Sequence, residues 1–263
     1  MSWWGKLLGG TFGFMLGGPM GALLGAVLGH NFDKGLQGVS GTNGYARGHQ
    51  QRAQAAFFTA TFSVMGHICK ADGRVTPDEI AAARLIMSQM ELSPQQRQAA
   101  IELFNEGKKE GFLFQDIVLQ FRQEVGRSSN LKRMFIEIQC HAAYSDGTIH
   151  PAEKKILSSV CDILRISQYE LESIIAAIGA QFHHQQSTRD TKASGMSLKD
   201  AYTTLNISAD ATETEVKRAY RRLTSQHHPD KLVSKGLPEE MMKIASQRTH
   251  EIRQAYERIK QEM

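Results

Sequence analysis

The first 29 residues carry one charged side chain, Lys6. From Leu7 to Gly29 there is none. That is about the roughly 20 apolar residues a helix needs to cross a bilayer core at 1.5 Å per residue. Trp3 and Trp4 stand where an interfacial aromatic belt would be. Glycine recurs at every fourth position, Gly5, Gly9, Gly13, Gly17, Gly21, Gly25 and Gly29. On a helix these positions share one slowly drifting stripe, against which a second backbone can pack closely. In water each glycine would weaken a helix by about 1 kcal/mol relative to alanine. In lipid an unpaired backbone costs more, so the helix forms anyway. The expectation is a transmembrane anchor over 1–30 that pairs with a second copy through the glycine stripe. A cleaved secretory signal and a soluble glycine-rich leader are the two other readings. Lys34, Arg47 and Arg52 follow the span, and Lys6 alone precedes it, which favours a cytoplasmic C-terminal side.

The remaining chain is polar and helix-friendly. With 263 residues it has room for about two domains. Six prolines and few alternating β-branched runs predict an all-α fold. A net charge of +4 does not argue for nucleic acid. Cys69, Cys140 and Cys161 show no C-x-x-C spacing, which fits buried thiols in a reducing compartment. Residues 31–50 are rich in glycine and read as a flexible linker. Helical patterning then holds over 51–182.

That segment contains a repeat. Ala71-Asp72-Gly73-Arg74-Val75-Thr76-Pro77-Asp78-Glu79 matches Ser145-Asp146-Gly147-Thr148-Ile149-His150-Pro151-Ala152-Glu153, 74 residues later. Asp-Gly ends one helix with a positive-φ glycine. Thr76, Pro77 and Glu79 then occupy the N-cap, N1 and N3 positions of the next. In the second copy His150 replaces threonine and weakens the cap. Ser93-Pro94 and Ser167-x-x-Glu170 mark further helix starts. The paired acidic loops resemble the TerB-like family, an all-helical fold. That resemblance implies a divalent metal held by Asp72, Glu79, Asp146 and Glu153. The residues themselves favour capping, because neither copy has the alternating oxygen ligands of an EF-hand loop.

A polar stretch over 183–196 reads as a second linker. Ser197-x-x-Asp200 and Thr212-x-x-Glu215 then start two helices. Val216, Ala219, Tyr220 and Leu223 share one face of the second. Lys217, Arg218, Arg221 and Arg222 occupy the rest, and like charges at i, i+4 cost a few tenths of a kcal/mol each. A stripe that costs stability points to an acidic partner. His228-Pro229-Asp230-Lys231 follows at once, and Pro229 ends the helix. A third helix is expected from about Pro238, with Met242, Ala245, Ile252, Ala255, Tyr256 and Ile259 on its apolar face.

Two helices joined by a loop bearing His-Pro-Asp resemble a J domain, over 197–263. The resemblance implies contact with an Hsp70 (DnaK in bacteria) through Lys217, Arg221, Arg222, His228, Pro229, Asp230 and Lys231. Asp230 would engage a basic residue of Hsp70, and hydrolysis would occur there and not in this chain. His227 departs from the family, which usually has tyrosine or phenylalanine in its place, and Gln226 stands where a basic residue is common. The order of anchor, TerB-like bundle and J-domain helical hairpin resembles the membrane-anchored DnaJ-like co-chaperones. That resemblance implies a bacterial inner-membrane protein with a short periplasmic N-terminus and cytoplasmic C-terminal domains. No nucleophile–base pair or phosphate loop marks an enzyme. The competing expectation makes the bundle a ligand- or metal-sensing module in envelope signalling, with the J domain as its output.

Overall fold

The computed structural model describes residues 44–90, 92–190, 196–235, 237–238 and 241–263, with Gly21 besides. Apart from Gly21, which is helical, the expected anchor and its glycine stripe lie outside the described residues. Among the described residues no helix is long and apolar enough to cross a membrane. The fold is all-α. Helices α1 (Gly44–Cys69), α2 (Pro77–Gln89), α3 (Pro94–Gly107), α4 (Phe114–Val125), α5 (Ser129–Ala143), α6 (Pro151–Leu164) and α7 (Gln168–Asp190) build a bundle. Helices α8 (Leu198–Leu205), α9 (Glu213–His227), α10 (Pro229–Val233) and α11 (Met242–Lys260) build the C-terminal unit.

Local chemistry sets the helix starts. Thr76 and Glu79 form a reciprocal capping box at α2, and Ser93 and Gln96 form another at α3. Pro77, Pro94 and Pro151 each sit in the first turn, where a missing N–H costs nothing. Gly73 and Gly147 take φ of 95° and 93° in the two Asp-Gly turns.

Helix α1 is the axis of the bundle. From Phe57 to Gly66 only Phe58 is partly exposed, so the helix is buried nearly all round. Phe57 meets Phe121 of α4 edge-on at 5.6 Å and Phe135 of α5 at 6.2 Å. Phe121 and Phe135 close the trio at 4.7 Å. Against α3 the approach is backbone to backbone. A Cβ on Gly66 would stand 2.0 Å from the Phe104 carbonyl oxygen, and one on Gly107 would stand 1.8 Å from that of Ser63. Two glycines, one on each helix, let the axes cross this closely.

Some helix boundaries differ from the sequence expectation. α1 begins at Gly44, inside the stretch read as linker, and α7 continues to Asp190 beyond Phe182. Helical continuity costs one residue at a time once a helix exists, so a glycine- or histidine-rich end can follow a packed helix. At α11 the inward residue is Met241, fully buried, while Met242 is 38% exposed. The Met241 amide bonds the Pro238 carbonyl, and this turn sets the face one residue earlier than expected.

Replacing Gly107 or Gly66 by alanine gains about 1 kcal/mol of helix propensity. It also forces a methyl into a carbonyl, a strain of about 3 kcal/mol or more. Each variant should unfold at lower temperature than the parent by calorimetry; an unchanged or raised midpoint would refute the close crossing.

Candidate functional site

Helix α9 opens on a capping box in which Thr212 accepts from the Glu215 amide and Glu215 accepts from the Thr212 amide. Val216, Ala219 and Leu223 bury against Ala201 and Leu205 of α8 and Ile252, Ala255 and Ile259 of α11. Tyr220 stacks on Tyr256 at 4.3 Å, and the Thr249 hydroxyl donates to the His227 carbonyl at 3.0 Å. Seven residues forward on α9 match seven back on α11, so the two helices run antiparallel. His228 is extended, at φ −61° and ψ 122°, and serves both as C-cap of α9 and as N-cap of α10. Pro229 fits the first position of α10. The Leu232 amide bonds the His228 carbonyl and the Ser234 amide bonds that of Asp230, which closes the loop on itself. Lys231 donates to the Ser225 hydroxyl at 2.8 Å.

The residues expected to meet a partner stand together. Lys217, Arg218, Arg221 and Arg222 are exposed on α9, and Asp230 and Lys231 are exposed on the loop behind them. Lys217 pairs with Glu213 one turn earlier. Arg218, Arg221 and Arg222 make no ion pair with a carboxylate among the described residues. His228 and Pro229 are half-buried and shape the loop.

The loop's underside is not free. His227 is 2% exposed, and its Nδ1 lies 3.5 Å from Oε2 of Glu137 on α5, itself 4% exposed. Arg133 holds Glu137 at 3.0 Å and Glu170 at 2.7 Å, and Arg248 of α11 holds Glu251 at 3.0 Å. Burial pushes the His227 imidazole down to about 4 against the opposing pull of Glu137. Burial raises the Glu137 carboxyl, yet His227, Arg248 and Arg133 together hold it below its ordinary value. Leu232, Leu237, Met241 and Ala245 join the hydrophobic cluster of the bundle rather than that of the hairpin. Gln50 and Gln54 of α1 donate to the carbonyls of Val233 and Leu237. Sequence reasoning marked His227 as a departure but missed Glu137. The available signal was a carboxylate inside the apolar run Met134–Ala143.

The four repeat carboxylates divide into two kinds. Asp72 and Asp146 are exposed and accept from the amides of Arg74 and Thr148, both at 3.0 Å. Glu79 and Glu153 are 6% and 2% exposed, and accept from the amides of Thr76 at 2.6 Å and His150 at 2.8 Å. Burial, opposed by the His150 amide and reinforced by Glu79, lifts the Glu153 carboxyl to about 7. Its Oε1 is buried without a fixed partner, and a proton there lets it donate to Glu79. Among the described residues no group of three or more histidine, cysteine, aspartate or glutamate side chains is placed to hold a metal. The four carboxylates are each engaged instead as turn or capping acceptors of backbone amides. The thiols of Cys69, Cys140 and Cys161 are free and buried, and burial raises all three.

Because the folded Glu153 value lies above the unfolded one, its contribution is complete below about pH 4.5 and is lost as pH rises through about 7. The loss runs at up to about 1.4 kcal/mol per pH unit. Glu153→Gln keeps an acceptor for the His150 amide and carries no charge at any pH. The variant should gain on the parent in thermal midpoint between about pH 5 and pH 8; a constant difference would refute the raised Glu153 carboxyl.

Three family models match in order along the chain. They are the Co-chaperone DjlA transmembrane domain over 1–48, Tellurite resistance protein TerB over 58–176 and the DnaJ domain over 200–263. Co-chaperone protein DjlA of Shewanella oneidensis is 45% identical over 262 residues, covering 100% of this chain and 98% of its own length. The proteins of that name from Photobacterium profundum and Coxiella burnetii are 41% and 40% identical, covering 98% and 99% of this chain and 98% of each relative. No solved structure matches. The hairpin with its His-Pro-Asp loop is thus a DnaJ domain on a TerB bundle behind a membrane anchor, and the chain belongs to the DjlA family of J-domain co-chaperones.

Proposed function

We propose that this protein stimulates ATP hydrolysis by a cytoplasmic Hsp70, DnaK, and recruits it to the inner membrane. The carrying observation is the exposed basic face of α9, which runs straight into an exposed Asp230 on a loop fixed by its own hydrogen bonds. Opposite charge on the partner would steer the encounter and set its register. Lys217, Arg221 and Arg222 supply that field, Asp230 meets a basic group of the partner, and His228, Pro229 and Lys231 hold the loop in shape. The phosphate chemistry belongs to Hsp70. ATP and Hsp70 then have to share the compartment of residues 31–263, which puts the short N-terminus in the periplasm on a single pass. The same reading takes 1–30 as the anchor, 51–182 as the bundle and 197–263 as the J domain.

Asp230→Asn keeps the size of the side chain and removes its charge. In single-turnover ATPase assays with DnaK it should abolish stimulation while leaving the far-ultraviolet circular dichroism unchanged. Retained stimulation would defeat the proposal.

The glycine stripe is proposed as the surface through which two anchors pair. Replacing Gly9, Gly17 and Gly25 by leucine fills the groove and should lower the crosslinked dimer in membranes several-fold. An equal dimer yield would remove the stripe from the interface.

A further inference from the structure

Two different sets of apolar residues hold the J domain. The end remote from the loop has its own cluster, built from Ala201, Leu205, Val216, Ala219, Leu223 and Ile252 with their neighbours. The loop end has none of its own: Leu232, Leu237, Met241 and Ala245, all fully buried, belong to the cluster of the bundle. Polar contacts repeat the pattern. Gln50 and Gln54 donate to the Val233 and Leu237 carbonyls from α1, and Oε2 of Glu137 on α5 lies 3.5 Å from the buried Nδ1 of His227, a close approach without a fixed hydrogen bond. His227 is the residue directly before His-Pro-Asp, and its carbonyl is held by Thr249. The working side stays open, since Asp230, Lys231, Arg221 and Arg222 are exposed. The bundle therefore grips the loop from beneath without covering its partner face.

We propose that α1 and α5 form a seat for the His-Pro-Asp end of the J domain, and that Glu137, acting through His227, is a positioning residue for Hsp70 stimulation. The inference rests on the co-chaperone reading above. A loop already held in shape loses less conformational freedom when a partner binds. Freed from the seat, it would have to be ordered by Hsp70. The effect falls on the concentration of co-chaperone needed, while the rate at saturation, set by Asp230 and the partner, stays the same. The Glu137–His227 contact is also replaceable, because a buried polar pair can be exchanged for apolar groups of similar size when both partners change together.

The test uses the full chain in proteoliposomes with DnaK, alongside amide hydrogen exchange of residues 228–235 measured without DnaK. Glu137→Ala should raise the half-maximal concentration about tenfold, leave the plateau within twofold, and speed exchange at Leu232 and Val233 about tenfold, since a tenfold change corresponds to about 1.4 kcal/mol. His227→Phe alone should do the same, because it removes the imidazole that lies against Oε2 of Glu137. Combining His227→Phe with Glu137→Leu should restore both readouts to within threefold of the parent, which mere damage to the bundle would not allow. Unchanged exchange and half-maximal concentration in the single variants overturn the seat. So does a folded double variant that fails to recover. Asp230→Asn separates this inference from the one it rests on: it should lose stimulation and keep the protection of the loop. If the parent itself fails to stimulate DnaK, the co-chaperone reading falls, and the exchange arms still decide whether the bundle holds the loop.

Discussion

The crossing of α1 and α3 at Gly66 and Gly107 sets the geometry on which the rest of the bundle is hung. With no Cβ between them, each helix places backbone where a neighbour would ordinarily place side chains. α1 can then sink to the middle of the bundle and be covered on almost every side. Its remaining faces are free to take Phe121 from α4 and Phe135 from α5. α5, pinned in this way, presents Glu137 outward to the C-terminal unit. The seat under the His-Pro-Asp loop is therefore a product of a helix crossing inside another domain.

Burial also changes what the charged residues can do. Glu79 and Glu153 look alike in sequence and begin as ordinary capping residues, yet the fold brings the two repeats together and obliges one carboxyl to keep a proton to about pH 7. Glu137 is the opposite case. There the neighbouring guanidiniums of Arg248 and Arg133 oppose the same desolvation, and the carboxyl lies below its ordinary value. Neighbouring cations separate these outcomes, and they come from elements distant in sequence.

Features written in a few consecutive residues were legible beforehand. The capping boxes at Thr76, Ser93 and Thr212, the positive-φ glycines of the repeats, the end of α9 at Pro229 and the apolar face of the hairpin all follow from local rules. What was not legible depends on partners far along the chain. Gly66 and Gly107 carry no signature apart from one another. Glu137 stands out as a carboxylate inside the apolar run Met134–Ala143, but its neighbour His227 lies on a distant element and could not be read beside it. The start of α1 at Gly44 and the end of α7 at Asp190 reflect helices extended past the point where propensity alone would stop them. In the acidic repeats the sequence offered two roles, and the hydrogen bonds at Thr76 and His150 support capping.

α1 has one more consequence. It begins at Gly44, inside the region 1–48 matched by the transmembrane family model, and Gln50 and Gln54 lie within its first three turns. About 9–15 Å of helix separates its start at Gly44 from the two side chains that grip the loop. Mechanically, α1 is a stiff rod that grips the His-Pro-Asp end of the C-terminal unit near its first turns and crosses α3 at Gly66 near its far end. A bend or tilt of that first stretch of α1 would therefore move Val233 and Leu237 while the Phe57 trio and the Gly66 crossing lie beyond it.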